Sequence, residues 1–155
     1  MNEMIRNIRK SDYQAVDRLL LQLHKVHVEG RPELFSPLEH FMSEESFNNL
    51  IEDEEMITIL AEKKFKVVGC CFVSMLSHSG MVRMRIAYID QIVVDEKYRK
   101  RGIGKKLFET AERRAKELGA KRIDLMVWGH NRIAIQAYES YGMTPQMHTY
   151  EKQIY

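Results

Sequence analysis

The spacing of apolar residues predicts a strand, a short loop and a helix in the middle of the chain. Residues 87–94 are β-branched and aromatic, and they are too apolar near their end for a solvent-facing strand, so we expect a largely buried strand. Downstream, the apolar positions recur with the period of a helix, at Ile103, Leu107, Ala111, Ala115 and Leu118. Gly119 is expected to end this helix, because glycine readily takes the left-handed conformation of a C-cap.

The first third of the chain is predicted to form a strand and two helices. The strand lies around Met4–Arg9, and Ser11 with Gln14 has the spacing of a capping box that opens the first helix. The apolar stripe of that helix consists of Val16, Leu19, Leu20 and Leu23. One glycine and two prolines predict a loop from about Val28 to Leu38, and a second short helix is marked by Phe47, Leu50 and Ile51.

Two strand-forming runs, Met56–Ala61 and Val67–Met75, predict a hairpin joined around residues 63–66, and a further turn is predicted at Ser77–Gly80. Cys70 and Cys71 are adjacent in the second run. Their side chains should therefore point to opposite faces of the sheet as small core residues, and they cannot form a disulfide framework.

The C-terminal third is predicted to contain a buried strand at Arg122–Trp128, a helix after Asn131 and a candidate last strand at Met147–Ile154. The predicted order is β-α-α-β-β-β-α-β-α-β. A chain of 155 residues is near the usual size of one domain, so we expect residues 1–155 to form a single domain.

The loop between the central strand and its helix, residues 99–104, has the composition of an anion site. A helix that begins directly after two glycines presents its first N–H groups and the positive end of its dipole to the loop. Gly102 and Gly104 leave room for a phosphate to approach the backbone. The surrounding positive charge comes from Arg99, Lys100, Arg101, Lys105 and Lys106. A diphosphate ligand is therefore predicted here, with residues 99–105, including Ile103, around it.

The spacing of this loop excludes two common phosphate-binding motifs. The dinucleotide fingerprint needs a third small residue where Leu107 stands, and the P-loop needs glycine at position 99 and Ser or Thr at position 106. The segment instead fits [R/Q]-x-x-G-x-[G/A], which resembles the pyrophosphate loop of the GCN5-related N-acetyltransferase (GNAT) superfamily. Downstream, Asn131-x-x-Ala134-x-x-x-Tyr138-x-x-x-Gly142 looks like the second signature of that superfamily, in the same order along the chain.

The resemblance covers roughly residues 56 to 150. It implies an α/β (α+β) fold in which a mixed, mostly antiparallel sheet is flanked by helices. It also implies an N-acetyltransferase that moves an acetyl group from acetyl-coenzyme A to a primary amine. Attack should be direct, in a ternary complex, since no cysteine lies in either signature to carry the acyl group. The acceptor stays open between a small-molecule amine, a polyamine and a peptide, and the resemblance suggests a possible homodimer.

The resemblance also assigns cofactor contacts. The central strand is implied to expose backbone groups to the acetyl and pantetheine arm at Ile92, Val93 and Val94. Asn131 is placed near the pantetheine or the phosphates, as the N-cap of its helix, or in both roles. Tyr138 matches the tyrosine that contacts the cofactor and protonates the departing thiolate, although its helical spacing also allows core packing. Tyr141 is the competing phenol, and we expect it to pack against the sheet.

Asp90 is the candidate general base. It precedes Ile92 by two residues, so a regular pleat would place both side chains on one face of the strand. In the part of the superfamily that resembles diamine acetyltransferases, an acidic residue at this place acts directly or through a water. The alternative is a structural carboxylate that caps a backbone group or pairs with Arg83 or Arg85.

His24 and His27 have helical spacing but lack a third partner, so no metal site is expected. Both are expected at the end of the first helix. The resemblance implies that the loop that follows borders the acceptor site, which makes the two histidines candidate substrate contacts.

Composition narrows the function classes. The chain has 24 Lys and Arg against 22 Asp and Glu, a balance that argues against nucleic acid or an acidic membrane as the main partner. The absence of a signal-peptide core and of a transmembrane-length apolar run predicts a cytoplasmic protein. Two alternatives to the enzyme are kept. One is a non-catalytic acyl-coenzyme A sensor, and the other is a nucleic-acid-binding module that grips phosphates with the basic segment 97–106.

Overall fold

The computed structural model describes residues 3–77, 80 and 82–155. Within these residues the chain forms five strands: β1 (Met4–Asn7), β2 (Ile57–Lys63), β3 (Lys66–Leu76), β4 (Ile86–Val94) and β5 (Arg122–Leu125). The same residues form four α-helices: α1 (Tyr13–Gly30), α2 (Glu44–Glu52), α3 (Ile103–Glu117) and α4 (Arg132–Ser140).

The strands form one sheet in the order β1-β2-β3-β4-β5. The first three pairings are antiparallel, and the pairing of β4 with β5 is parallel. A parallel neighbour requires a crossover connection, and α3 provides it. The predicted mixed, mostly antiparallel sheet flanked by helices is therefore confirmed.

The sheet buries a separate apolar cluster on each face. On the face covered by α1 and α2, hereafter the α1 face, the core includes Leu19, Phe47 and Cys70. On the opposite face, hereafter the α3 face, the core includes Leu107 and Cys71. The two cysteines are free and buried in different clusters, as strand alternation predicts.

The beginning of α1 differs from the predicted capping box. A 3₁₀ turn at Lys10–Asp12 precedes the helix, and the cap position is Asp12 rather than Ser11. The Asp12 carboxylate accepts hydrogen bonds from the Arg6 guanidinium, at 2.8 and 2.9 Å, and from the Arg9 N–H at 2.7 Å. This partly buried ion pair ties the end of β1 to the helix, which a local pattern around Ser11 does not reveal.

Two predicted strands are shorter or missing. β5 ends at Leu125 rather than Trp128, and residues 143–155 adopt neither helix nor strand, so the predicted last strand is wrong. The predicted hairpin between β2 and β3 is present. The predicted turn at Ser77–Gly80 includes His78 and Ser79, which lie outside the described residues. Within residues 3–77, 80 and 82–155, no helix is long and apolar enough to cross a membrane.

Candidate active site

The pairing of β4 with β5 ends part-way along β4, and the opening beside the rest of β4 is hereafter called the wedge. Their registered pairs run from Ile86 opposite Arg122 to Ile89 opposite Leu125. β5 then stops, whereas β4 continues to Val94. Beyond Ile89, the side of β4 that faces away from β3 therefore has no neighbouring strand in the described part of the chain. Backbone groups at such a place are available to a ligand.

A β-bulge in β4 lies at the mouth of this wedge. Phe72 on β3 faces Gln91 and Val73 faces Ile89, which leaves Asp90 as the extra residue. Its carboxylate accepts a hydrogen bond from the Ser74 hydroxyl at 3.2 Å. The bulge breaks the side-chain alternation that a regular pleat would give.

The bulge places Asp90 and Ile92 on different faces. Ile92 packs against the α3-face core, as do Val73 and Met75. Ser74 stands between those two residues of β3, so alternation places it, and the carboxylate bonded to it, on the α1 face. The prediction that Asp90 shares a face with Ile92 is therefore wrong.

The surroundings of Asp90 suit a carboxylate that exchanges protons. Partial burial raises the pKa of the Asp90 carboxyl above its ordinary value, against the lowering effect of the Ser74 hydroxyl. The suggested partner Arg85 instead pairs with Glu55 and donates to the Leu118 carbonyl at 2.9 Å. Asp90 does not pair with the suggested Arg85, and it is exposed to solvent on the α1 face. Its catalytic role stays a prediction.

The loop at the end of β4 has the geometry of an anion cradle. Gly102 is the N-cap of α3 and is left-handed, at φ 79°. A β-carbon added to it would meet nothing within 4 Å. The first bond of the helix runs from the Lys106 N–H to the Gly102 carbonyl at 3.1 Å, so the N–H groups of Ile103, Gly104 and Lys105 precede the helical ladder. Lys100 also takes a positive φ of 60°, which bends the loop around this end of the helix.

Asp95, which the sequence patterns did not single out, anchors this loop. Its side chain is 2% exposed. It accepts hydrogen bonds from Arg18 on α1 at 2.7 Å and from the Lys97 N–H at 3.0 Å. Burial alone would raise the pKa of the Asp95 carboxyl, but Arg18 and the Lys97 N–H outweigh it and lower the pKa. The sequence feature that could have predicted this anchor is a single aspartate directly after a buried strand.

The charged side chains of the loop are only partly free. Lys106 pairs with Glu3 at 2.6 Å and Lys105 pairs with Glu109 at 3.7 Å. The Arg101 guanidinium lies over the Tyr98 ring, 5.5 Å from its centroid. The Ile103 side chain is buried in the core, and the Arg99 Nε donates to the Val94 carbonyl at 3.1 Å. The cradle therefore depends mainly on backbone N–H groups.

Tyr138 and Tyr141 of the second signature lie close together and differ in surroundings. Their ring centroids are 6.4 Å apart. Burial, together with the neighbouring Cys71 and Tyr141, raises the pKa of the Tyr138 phenol to about 12. The Tyr141 ring packs on Phe108 of α3 at 5.1 Å, so it packs as expected, although against a helix rather than the sheet. Cys71 of β3 is paired with Ile92 of β4. The Tyr138 phenol is a neighbour of Cys71 and therefore lies at the level of the wedge.

Asn131 is the N-cap of α4, as predicted. Its side-chain oxygen accepts a hydrogen bond from the Ala134 N–H at 3.2 Å. The spacing Asn131-x-x-Ala134 in the second signature is thereby explained by helix capping. A contact between Asn131 and a cofactor stays a prediction.

His24 and His27, the two candidate substrate contacts, belong to a larger aromatic cluster that the sequence patterns did not predict. The cluster is made of His24, His27, Phe35, Phe41, Trp128 and His130. The Phe35 ring lies 5.5 Å from both His27 and Trp128, which joins the loop after α1 to the chain that leaves β5. A side chain at Gly30 would collide with His130. The missed signal was that both segments carry aromatic residues where they leave the helix or the sheet.

His24 and His27 have different surroundings within the cluster. Burial, followed by His24 and His130, lowers the pKa of His27, so its imidazole is neutral at neutral pH. The His24 Nε2 lies 2.7 Å from the Ser36 carbonyl and is therefore engaged. In the part of the chain that the structure describes, no group of three or more His, Cys, Asp or Glu side chains could hold a metal ion.

The site therefore combines the wedge beside β4 with an anion cradle at the N-terminus of α3. A sequence model of the acetyltransferase (GNAT) family matches residues 13–143. The chain belongs to this family. The family predicted from residues 99–104 and from the Asn131 to Gly142 signature is confirmed. The two signatures lie next to each other, since a β-carbon added to Gly104 would lie 3.1 Å from the Tyr141 hydroxyl.

Relatives of this GNAT chain include the L-ornithine N5-acetyltransferase NATA1 of Arabidopsis thaliana. It is 29% identical over 136 residues, which cover 84% of this chain and 58% of NATA1. The chain spans less than two thirds of the length of the curated relatives it matches.

Solved structures show the same fold. A mutant of the BH1408 protein from Bacillus halodurans has a TM-score of 0.93 at 27% sequence identity, covering 98% of this chain and 99% of that one. The acetyltransferase AAC(6')-Iy, in complex with the bisubstrate analogue CoA-S-monomethyl-acetylneamine, has a TM-score of 0.76 at 16% identity, covering 99% of this chain and 100% of the other. At that identity the second likeness establishes the fold alone.

Proposed function

We propose that this protein is an N-acetyltransferase that transfers an acetyl group from acetyl-coenzyme A to an amine by direct attack. The observation that carries the proposal is the continuity of the wedge with the cradle. The free side of β4 beyond Ile89 leads directly into the loop at Gly102 and the N-terminus of α3. An extended ligand with a diphosphate at one end and a reactive group at the other matches this arrangement.

The residues present fit acetyl-coenzyme A. The space around Gly102 is open, and three N–H groups at the start of α3 lie outside the helical ladder. Lys100 and Arg101 are exposed beside them and add positive charge. When bound, acetyl-coenzyme A supplies the acetyl group as a thioester. The backbone of Ile92 and Val94 is proposed to line its arm.

Two side chains at the wedge are assigned to the reaction, one as the base and one as a hydrogen-bond donor to the leaving thiolate, which takes its proton from solvent. Asp90, with its raised pKa, accepts the proton of the amine directly or through a water. The Tyr138 phenol keeps its own proton at neutral pH, because its pKa is about 12, and donates a hydrogen bond where negative charge develops on sulfur. The two groups reach the wedge from opposite faces of the sheet, which allows amine and thiol to lie on opposite sides of the acetyl group.

The acceptor is proposed to bind on the α1 face, between Asp90 and the aromatic cluster. Aromatic faces and a carboxylate both favour a cationic amine. His24 and His27 would contact it from α1. The relative NATA1 is named for L-ornithine, so L-ornithine and its decarboxylated counterpart putrescine are suitable first acceptors.

The test is thiol release from acetyl-coenzyme A with the purified chain, across L-ornithine, putrescine, an aminoglycoside and a lysine-containing peptide. Release that depends on one amine, with the acetylated amine identified by mass spectrometry, supports the proposal. The matched control is the double variant Asp90→Asn with Tyr138→Phe, which should bind coenzyme A and release little thiol.

Two outcomes would replace the proposal by the alternatives. A coenzyme-A-induced rise in Tm without thiol release on any amine would indicate an acyl-coenzyme A sensor. Salt-sensitive nucleic-acid binding without such a rise would indicate a phosphate-gripping module. The ion pairs of Lys105 and Lys106 with Glu109 and Glu3 weigh against that module, because they already neutralise two of its cations.

A further inference from the structure

Loop 31–43, the segment between α1 and α2, runs back along α1 and is bonded to it at three levels. Three side chains of α1 each bond to a backbone group of the loop, at 2.7, 2.8 and 2.7 Å in this order: His24 to Ser36, Asp17 to Phe41 and Tyr13 to Met42. A helix turns by about 100° per residue, so these three side chains lie within about 40° of one another and form one stripe of α1. The loop is therefore held along one side of the helix and not only at the helix end.

Asp17 is buried and engages the loop through both oxygens of its carboxylate. Its side chain is 7% exposed. One oxygen accepts the hydrogen bond from the Phe41 N–H, and the other lies 2.9 Å from the Nδ1 of His40. A buried carboxylate costs free energy unless it is hydrogen-bonded. The loop supplies these partners, and the reaction proposed above does not use this carboxylate, so we assign Asp17 to fixing the loop.

The middle of the loop has little packing to hold it. Residues 36–40 are exposed, and residues 31–43 form neither helix nor strand. A cleft of about 570 Å³ lies beside Asp17 and is lined by Glu39, His40 and one side of α1. A loop of this length without regular structure is uncommon in a domain and is usually functional. The positions of its two rings in the aromatic cluster, Phe35 and Phe41, therefore depend on the hydrogen bonds to α1.

A second stripe of α1 holds the cofactor side of the site. Arg18, the neighbour of Asp17, donates to the buried Asp95 at 2.7 Å. Gln22 accepts a hydrogen bond from the Glu96 N–H at 3.2 Å. Arg18 and Gln22 are four residues apart and so share a side of the helix, which differs from the side of Asp17. α1 is thus bonded to loop 31–43 on one side and to the beginning of the cradle loop on the other.

We propose that Asp17 is a positioning residue for the acceptor, which holds loop 31–43 along α1 with Phe35 and Phe41 in the aromatic cluster, as Arg18 holds the loop of the anion cradle. This rests on the proposed function, because the cluster positions an acceptor only if an amine binds there. Asp17 acts through the loop and does not touch the reacting atoms. Without its carboxylate the loop leaves its place for part of the time, and the apparent affinity for the acceptor falls with the fraction of chains in the competent state.

The first experiment measures hydrogen exchange at the Phe41 amide by NMR. Asp17→Ala removes both carboxylate oxygens, and the amide should exchange about 10-fold faster or more, since hydrogen bonds to charged groups are among the stronger ones. Asp17→Asn keeps an oxygen acceptor for this N–H and should restore most of the protection. Gln14→Ala, at an exposed position of the same turn, is the control and should leave the exchange unchanged. If Asp17→Ala loses its thermal transition, His40→Ala takes its place, because that side chain is 59% exposed, and exchange should still rise about threefold or more.

The second experiment separates the two sides of α1 by kinetics, with the acceptor found in the amine panel. Asp17→Ala should raise the KM for the acceptor about fivefold or more and leave the KM for acetyl-coenzyme A unchanged. Asp17→Asn should recover most of the acceptor KM. Arg18→Gln is the reciprocal variant: it weakens the bond to Asp95, so it should reduce the coenzyme-A-induced rise in Tm and leave the exchange of the Phe41 amide unchanged.

Two results would overturn the proposal. One is unchanged exchange at the Phe41 amide in a folded Asp17→Ala, or in the His40→Ala variant that replaces it. The other is an equal rise in both KM values, which would indicate a general loss of structure. If no amine of the panel is acetylated, the proposed function fails, and the exchange measurement still decides whether Asp17 holds the loop.

Discussion

Replacing Tyr138 by phenylalanine isolates the proposed contribution of its hydroxyl group. Phenylalanine keeps the ring that packs 6.4 Å from the Tyr141 ring, so the helix and its contacts should persist. Only the proton and the oxygen are lost. The expected effect is therefore on kcat and not on the binding of acetyl-coenzyme A.

The size of the effect follows from the pKa of the phenol. Burial raises the pKa of Tyr138 to about 12. An ordinary thiol has a pKa of about 8.5, so full proton transfer from phenol to thiolate is uphill by about 3.5 pKa units, or about 5 kcal/mol. Tyr138 therefore acts as a hydrogen-bond donor to the developing thiolate, worth about 1.5–3 kcal/mol. Tyr138→Phe should lower kcat about 10- to 150-fold.

The assay is thiol release with saturating acceptor, with kcat and the KM for acetyl-coenzyme A measured separately. Tyr141→Phe is the matched control, because it removes a phenol from the same helix end while leaving the ring on Phe108; it should change kcat little. Since the phenol is protonated far above neutrality, the ratio of the two kcat values should not vary with pH near 7. Unchanged turnover in Tyr138→Phe would refute the donor role. A loss beyond about 10³-fold would refute the magnitude, since it exceeds what one such hydrogen bond provides.

Three further outcomes are expected. Gly102→Val should abolish the coenzyme-A-induced rise in Tm, because the new side chain fills the cradle. The control Gly119→Val places the same side chain at a positive φ of 89° at the far end of α3, so it should lose stability but keep that rise. Equal binding of coenzyme A by both variants would contradict the cradle. Asp90→Asn should lower kcat/KM and remove the loss of activity that the unmodified enzyme shows in acid. In the unmodified enzyme, activity should be lost as the pH falls through the pKa of Asp90. This loss should occur above the ordinary aspartate pKa of about 3.9, because burial raises the pKa of Asp90. Asp95→Asn should lower the free energy of unfolding by about 1–3 kcal/mol at pH 7, because it removes the negative charge that strengthens the hydrogen bond from Arg18. Because the folded pKa of Asp95 is depressed, this difference should be present above pH 4 and shrink as pH falls through the folded pKa, and a difference that grows in acid would contradict the assignment.

Several elements followed from local sequence because their signals are short-range. The helix from Ile103 was predicted from its apolar period, and α3 begins at that residue. The cap at Asn131 was predicted from a motif and is a hydrogen bond within three residues. The adjacent cysteines were assigned to opposite faces by strand alternation alone, and they lie in different clusters.

The errors and omissions concern contacts between different elements of the fold. The bulge at Asp90 arises from the register of β4 on β3, and the residue pattern of β4 alone does not predict that register. The helix cap at Asp12 depends on Arg6 of β1, and the loop anchor at Asp95 depends on Arg18 of α1. The predicted last strand at Met147–Ile154 is wrong for the same reason, because a strand needs an edge to pair with and the pattern of the segment alone does not supply one.

By itself the sequence determined the family and a candidate phosphate-binding loop, since each depends on residue types at fixed short spacings, and the mostly antiparallel sheet was implied by the resemblance to that family. Only the tertiary structure decided that β5 stops at Leu125 and opens the wedge, that Asp90 turns to the α1 face, and that the aromatic cluster joins α1 to the chain beyond β5. The reason is physical. Periodicity records which side of an element is apolar, whereas the site is made where two elements separate or meet, and that depends on register and packing across the whole sheet.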